Sequence, residues 1–240
     1  MFSQGCIVAS DLTQEWLLPW WWDHYSHNND LPVMFIDLGM SQEKKAWCQE
    51  RGYYERLYLP EFVADKEHIT PSHLTEWGGV TTKKHFWDSR RAWFQKPMAC
   101  LKSPFALSLW LDLDCEIRGS LAPLFSLPSF EIIIGREHLD GKQESVNSGV
   151  LLFEQNSTLL HIWAHEALHY SHLYAGDQDI LTYMFQKDPS RFGTLPPIYN
   201  WSRIHKDNPR AIVLHWHGQH GKSAIIHQMM RNALLQEGLL

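Results

Sequence analysis

Short apolar runs alternate with longer mixed segments along this chain. CIVA (residues 6–9), VMFI (33–36), RLYL (56–59), ALSLWLDLD (106–114), EIII (131–134), GVLLF (149–153) and AIVLHWH (211–217) read as short buried strands. Between them the pattern predicts helices over residues 13–25, 41–50 with Ser41 as N-cap, 85–99 up to a disturbance at Pro97, 158–174, 178–185, and from 223 onward. Residues 61–82 are polar and irregular, with Pro71 and Gly78-Gly79. Strands alternating with helices predict an α/β fold whose mainly parallel sheet is buried between helices. No repeat, low-complexity tract or Gly/Ser linker breaks the pattern, so one domain over residues 1–240 is expected. In such sheets ligands gather beyond the carboxyl ends of the strands.

Composition narrows the function classes. The 21 basic and 27 acidic residues leave a net charge of −6, which argues against a nucleic-acid partner or an anionic membrane surface as the main ligand. No run approaches the roughly 18 apolar residues of a membrane span, so no integral membrane segment is expected, while peripheral association stays open. The first residues lack a basic region and a long apolar region, so no signal peptide is expected. Cys6, Cys48, Cys100 and Cys115 lie far apart without a CxxC, which fits reduced thiols and a cytoplasmic location. Fifteen His and twelve Trp give many amphipathic rings, which suit a core and a sugar site alike.

The most informative segment is ALSLWLDLD. On a strand, positions two apart share a face, so Asp112 and Asp114 would point together from the end of a buried element. Two close carboxylates repel, and a hard divalent cation, Mn²⁺ or Mg²⁺, relieves that repulsion and holds a diphosphate. The alternative is that they cap a turn. IVLHWHG ends a second apolar run in His215 and His217, followed by His220, Gly221 and Lys222. An imidazole completes a metal shell and Lys222 meets a phosphate as a point charge; ordinary strand-end histidines are the plainer reading. SVNSGVLLF carries Asn147, Ser148 and Gly149, small polar groups suited to sugar hydroxyls or to a turn. GDQDIL sets Asp177, Gln178 and Asp179 at a helix start, where acids are favoured in any case.

In this order, the segments resemble the GT-A glycosyltransferases, most closely glycosyltransferase family 8 and its relatives. The resemblance implies a GT-A-like, Rossmann-like, mainly parallel sheet flanked by helices. It implies that IVASD, with Ala9, Ser10 and Asp11, lies where the nucleotide base and ribose rest. It makes Lys96 the basic position before the DxD strand and Asp112 and Asp114 the ligands of metal and diphosphate. Asn147 and Ser148 fall on the acceptor-side segment that begins at Arg136, and Asp177 and Gln178 face the donor sugar. HWHG resembles the family's HFxG, making His215 the third metal ligand and Lys222 the diphosphate lysine. Here the lysine comes one residue late and the usual Pro-Trp is absent, so His217 stands as the alternative ligand. The implied activity is transfer from a nucleotide-sugar donor, of UDP type, to an acceptor hydroxyl with retention at the anomeric carbon, with Mn²⁺ or Mg²⁺ as cofactor and a carbohydrate or glycan as acceptor. Lys96 or Arg91 would add positive charge.

Other readings compete. His165-Glu166-Ala167-Leu168-His169 matches the HExxH of zinc hydrolases. No Glu follows until Glu237, so the third ligand would have to be Asp177 or Asp179. A nucleotidyltransferase would want a glycine-rich phosphate loop after the first strand, where this chain reads ASDLTQEW. A catalytically inactive nucleotide-sugar binding protein would keep the fold alone. The clustered tryptophans Trp16, Trp20, Trp21 and Trp22 read as core or partner surface before they read as a stacking platform.

Overall fold

A computed structural model describes residues 2–137 and 145–239. Seven strands form the main sheet in the order β3-β2-β1-β4-β7-β6-β8. In chain order these are β1 (Phe2–Ser10), β2 (Val33–Asp37), β3 (Tyr53–Arg56) and β4 (Phe105–Leu111), then β5 (Cys115–Ile117), which lies outside the main sheet, then β6 (Ile132–Glu137), β7 (Ser145–Glu154) and β8 (Phe192–Thr194). β1 pairs in parallel with β2 and β4, β2 with β3, and β6 with β8; only β7 runs antiparallel, between β4 and β6. The mainly parallel α/β architecture is therefore as the pattern predicts. β5 joins β9 (Trp201–Ser202) and β10 (Val213–His215) in a small second sheet, β5-β10-β9.

Strand alternation splits the core into two layers. Cys6, Val8, Val33, Phe35, Leu109, Leu111, Val150 and Leu152 face one layer. Ile7, Met34, Ile36, Trp110, Leu151 and Phe153 face the other. The first layer is closed by helix α1 (Leu17–Ser26), by Cys48 of α2 (Gln42–Gln49) and by the small sheet through Cys115, Ile117 and Val213. The second is closed by α4 (Lys84–Cys100), α5 (Thr158–Tyr170) and α6 (Asp177–Lys187), after a short α3 (Pro71–Trp77) in the polar middle. α7 (Gly218–Gln236) follows β10. With both faces covered, β2 is buried at all five positions, which is why VMFI reads as an unbroken apolar run.

Several element boundaries differ from expectation. α1 starts at Leu17, because the Asp11 carboxylate accepts from the backbone amides of Thr13 and Gln14, both at 2.9 Å, and holds residues 11–16 in turns. Trp20 and Trp21 are buried and Trp16 and Trp22 pack against the same core, so the cluster serves packing. β3 covers YYER and RLYL is mostly outside it. The polar middle contains α3, started by Pro71 with the Thr70 hydroxyl accepting from His73 N–H. α4 runs on through Pro97 to Cys100. The helix predicted over 158–174 ends at Tyr170 and passes into a tight 3₁₀ turn. α7 begins at Gly218, five residues earlier than predicted, which puts Lys222 within its first turns. No helix among the described residues is long and apolar enough to cross a membrane.

Candidate functional site

The carboxyl ends of β1 and β4 open on a cavity of about 560 Å³. Because β7 is antiparallel, its beginning reaches the same rim: Leu111 pairs with Val150, and Asp112 N–H donates to the Gly149 carbonyl at 2.8 Å. The start of α6 and the start of α7 complete the walls. Ala9, Ser10, Asp11, Lys96, Asp112, Asp114, Asn147, Ser148, Asp177, Gln178, His215, His217 and Lys222 all line this one cavity.

Asp112 and Asp114 do not sit on a strand, against expectation. β4 ends at Leu111, and Asp112 and Asp114 lie in the turn between β4 and β5, closed by Cys115 N–H donating to the Asp112 carbonyl at 3.0 Å. The two carboxylates nevertheless converge, with Asp114 Oδ1 at 3.3 Å and Asp112 Oδ2 at 3.9 Å from His215 Nε2. His215 ends β10, which pairs antiparallel with β5, so the small sheet delivers the imidazole to the acids. Gly149 makes room for it: a Cβ there would fall on the imidazole ring. Asn147 and Ser148 also lie within β7, where they were expected ahead of the strand.

A chain of hydrogen bonds orients that ring. The Glu137 carboxylate only accepts, so Asn147 Nδ2 donates to it at 2.7 Å. Asn147 Oδ1 then accepts from Asn200 Nδ2 at 2.9 Å and from Gly149 N–H at 2.9 Å. Asn200 Oδ1 is left to face His215 Nδ1 at 3.1 Å. This polarity makes Nδ1–H a donor to Asn200 and turns the Nε2 edge of the ring toward the Asp114 carboxylate. His215 Nε2 and Asp114 Oδ1 lie 3.3 Å apart, both being atoms that can ligate a metal. The donor set of two carboxylates and one oriented imidazole fits a divalent metal. Asp114, Cys115 and His215 offer ligand atoms within 4.8 Å of one another, and Asp112 stands beside this group because Trp110 Nε1 (2.7 Å) and Lys96 Nζ (3.0 Å) already hold its Oδ1.

Two lysines balance the acids. Lys222 Nζ meets Asp114 Oδ2 at 2.9 Å. Burial disfavours the Asp114 charge, and Lys222 and His215 outweigh that, holding its carboxyl far below the usual range. Lys96 is buried among Asp112, the Ser148 hydroxyl (3.1 Å) and carbonyl (3.2 Å), and Asp177 Oδ2 at 3.6 Å. Burial opposes the Lys96 charge, and Asp112 and Asp177 overcome it, so its pKa is raised. Asp177, at the first turn of α6, is pushed up to about 6 by burial, against the pull of Lys96. Gln178 Oε1 accepts from Ser148 N–H at 3.2 Å.

His217 packs edge-on against His215, with ring centres 5.2 Å apart. Its Nε2 bonds the Ser202 hydroxyl at 2.6 Å, and burial lowers its pKa to about 4. Arg91 is turned away from the cavity to pair with Glu61 at 2.8 Å. His165 and His169 lie on the exposed side of α5, outside the cavity, and among the described residues no third metal-ligating side chain joins them. Residues 138–144 of the acceptor-side segment lie outside the described residues.

Solved structures with similar architecture are glycosyltransferases. The glycosyltransferase GlyE of Streptococcus pneumoniae TIGR4 matches with a TM-score of 0.60 at 18% identity, over 90% of this chain and 56% of that chain. The galactosyltransferase LgtC, solved with donor and acceptor sugar analogs, matches at 0.58 and 16% identity, over 89% of this chain and 87% of that chain. Mouse xyloside xylosyltransferase 1 matches at 0.55 and 16% identity, over 89% and 97%. This chain has the GT-A fold. It spans little more than half the length of GlyE. No protein-family model matches the sequence, and no curated protein matches it significantly.

Within this GT-A chain, sequence reasoning missed Glu137, Trp110 and Asn200. Asn200 stands out in the sequence only as part of an NWS triplet that matches a glycosylation acceptor. Its partners Asn147 and His215 lie 53 and 15 positions away.

Proposed function

We propose that this protein is a metal-dependent glycosyltransferase that moves a sugar from a nucleotide-sugar donor of UDP type to a carbohydrate hydroxyl, with retention at the anomeric carbon. The observation that carries the reading is the convergence of Asp112 and Asp114 on His215 Nε2, at 3.9 and 3.3 Å, with the imidazole held by the Glu137–Asn147–Asn200 relay at the rim of a GT-A sheet. Asp112, Asp114 and His215 would hold Mn²⁺ or Mg²⁺, which when bound supplies Lewis-acid stabilisation of a leaving diphosphate. Lys222 and Lys96 place ammonium groups at the same rim and take up negative charge growing on the departing nucleotide. Ala9, Ser10 and Asp11 form the base and ribose end of the cavity; Asp11 spends one carboxylate oxygen on its own turn, leaving Oδ2 for a ligand. Asp177, paired with Lys96 at 3.6 Å, and Gln178 face the positive charge that develops at an anomeric carbon. Asn147 and Ser148 orient sugar hydroxyls. Four buried free thiols support a reducing, cytoplasmic setting.

The test is a thermal-shift comparison of UDP alone, Mn²⁺ alone, and both together. A ligand at a hundredfold excess over its Kd adds about 2.7 kcal/mol of stability. A shift that needs both, and disappears in Asp114→Ala, supports the reading. An equal shift in wild type and Asp114→Ala, or no shift with any nucleotide and cation, overturns it. Transfer is then read as release of UDP from UDP-glucose or UDP-galactose.

A further inference from the structure

Arg90 is a fully buried guanidinium on α4, six positions before Lys96. It touches none of the proposed reacting groups. Its charged carbon lies 5.0 Å from the Trp77 ring centre, 5.8 Å from Phe86, 5.3 Å from Trp87 and 4.9 Å from Phe94. Burial pulls its pKa down only to about 10, so it remains charged. All its hydrogen bonds go to one stretch of backbone: Nη1 donates to the carbonyls of Tyr174 and Ala175, both at 3.0 Å, and Nη2 to that of Ser171 at 2.9 Å. That stretch leads directly into Gly176, Asp177 and Gln178. The Ser171 hydroxyl separately ties it to Phe62 O and Ala64 N–H.

A charged side chain inside an aromatic box is expensive unless something needs its planar fork of donors. Three carbonyls in one short loop, at different angles, are what such a fork can hold and an ammonium cannot. The loop in turn sets where α6 begins, and hence where Asp177 stands relative to Lys96 and Gln178 relative to Ser148. α4 carries both Arg90 and Lys96, so one rigid helix holds the two ends of this alignment.

We propose that Arg90 is a positioning residue: it clamps the loop at 171–175 to α4 and so registers Asp177 and Gln178 against Lys96. The kinetic half of this inference rests on the glycosyltransferase reading; the structural half does not. Arg90→Lys keeps the charge without the fork, Arg90→Met removes both, and Ser171→Ala is the control that cuts the tie to Phe62 and leaves the clamp. Amide hydrogen exchange over residues 174–179 is expected to speed up at least tenfold in Arg90→Lys, more in Arg90→Met, with β4 and α5 unchanged. UDP-glucose or UDP-galactose hydrolysis with Mn²⁺ is expected to lose roughly 10–100-fold in kcat with little change in KM, while Ser171→Ala keeps its kcat. Unchanged exchange over 174–179 in Arg90→Lys, or exchange rising uniformly across the main sheet, overturns the clamp. A loss expressed in KM alone also overturns it. Absence of UDP and Mn²⁺ binding in wild type would sink the functional reading and leave the exchange result to decide the role of Arg90.

Discussion

At the level of single residues, the site depends on one missing side chain. The His215 ring lies over Gly149 so closely that a methyl group cannot be accommodated without moving the ring. Gly149→Ala is expected to cost about 1–3 kcal/mol in overpacking. It is also expected to abolish the joint UDP and Mn²⁺ thermal shift, because the imidazole can no longer face Asp114. Urea unfolding and the same shift assay read the two effects, and a retained shift would show that His215 is not needed for ligand binding. His165 gives the opposite expectation. It is exposed on α5 and removed from the cavity, so His165→Ala is expected to leave donor hydrolysis and metal content unchanged. Loss of stoichiometric zinc in that variant, measured by elemental analysis, would revive the hydrolase reading.

At the level of elements, the end of β2 is stapled by Asp37. Its fully buried carboxylate accepts from Gly39 N–H (2.7 Å), Met40 N–H (2.6 Å) and the Tyr54 hydroxyl (2.7 Å), and Lys45 lies at 3.4 Å. Burial raises its pKa, and the Tyr54 bond, the two amides and Lys45 outweigh that, so the folded value lies below the unfolded one. The stabilisation is therefore complete above the unfolded value near 4 and is lost as pH falls through the folded one. Asp37→Ala is expected to cost about 2–4 kcal/mol at pH 7, and the variant's stability is expected to fall less steeply below pH 4 than that of wild type. Parallel denaturation curves at pH 7 and pH 3 check both.

The same scale explains what the sequence discloses. β1, β2, β4 and β7 are long and buried on both faces, so their apolar runs are unmistakable. β10 falls within the apolar run AIVLHWH, but β5 and β9 have three and two residues, too few to show a period, so the small sheet that delivers His215 stays hidden. α7 begins with Gly218 and Gly221, which resemble helix breakers. Gly218 takes a φ of +78°, and a Cβ at Gly221 would fall on the Trp216 carbonyl, so both are demanded by the entry into the helix. The acids and the histidine are legible as motifs. The Glu137–Asn147–Asn200 relay is not, because hydrogen-bond polarity exists only once the strands are placed.

For the molecule as a whole, all four cysteines are free and buried, and burial drives the Cys6 and Cys48 thiols up to about 12. They are expected to be inert to a thiol reagent in the native state and to react together on unfolding. A reductant is expected to leave Tm unchanged. Timed labelling followed by mass spectrometry checks this, and rapid modification of any one thiol below Tm would mean that its layer of the core opens locally.

Asp114 and Lys222 meet across 108 positions of chain. A ribosome extruding this polypeptide has released nearly the whole main sheet before the imidazole and the second ammonium group exist outside the exit tunnel. Charge balance at the acidic rim is therefore completed only when residues 213–222 dock against strands made long before them.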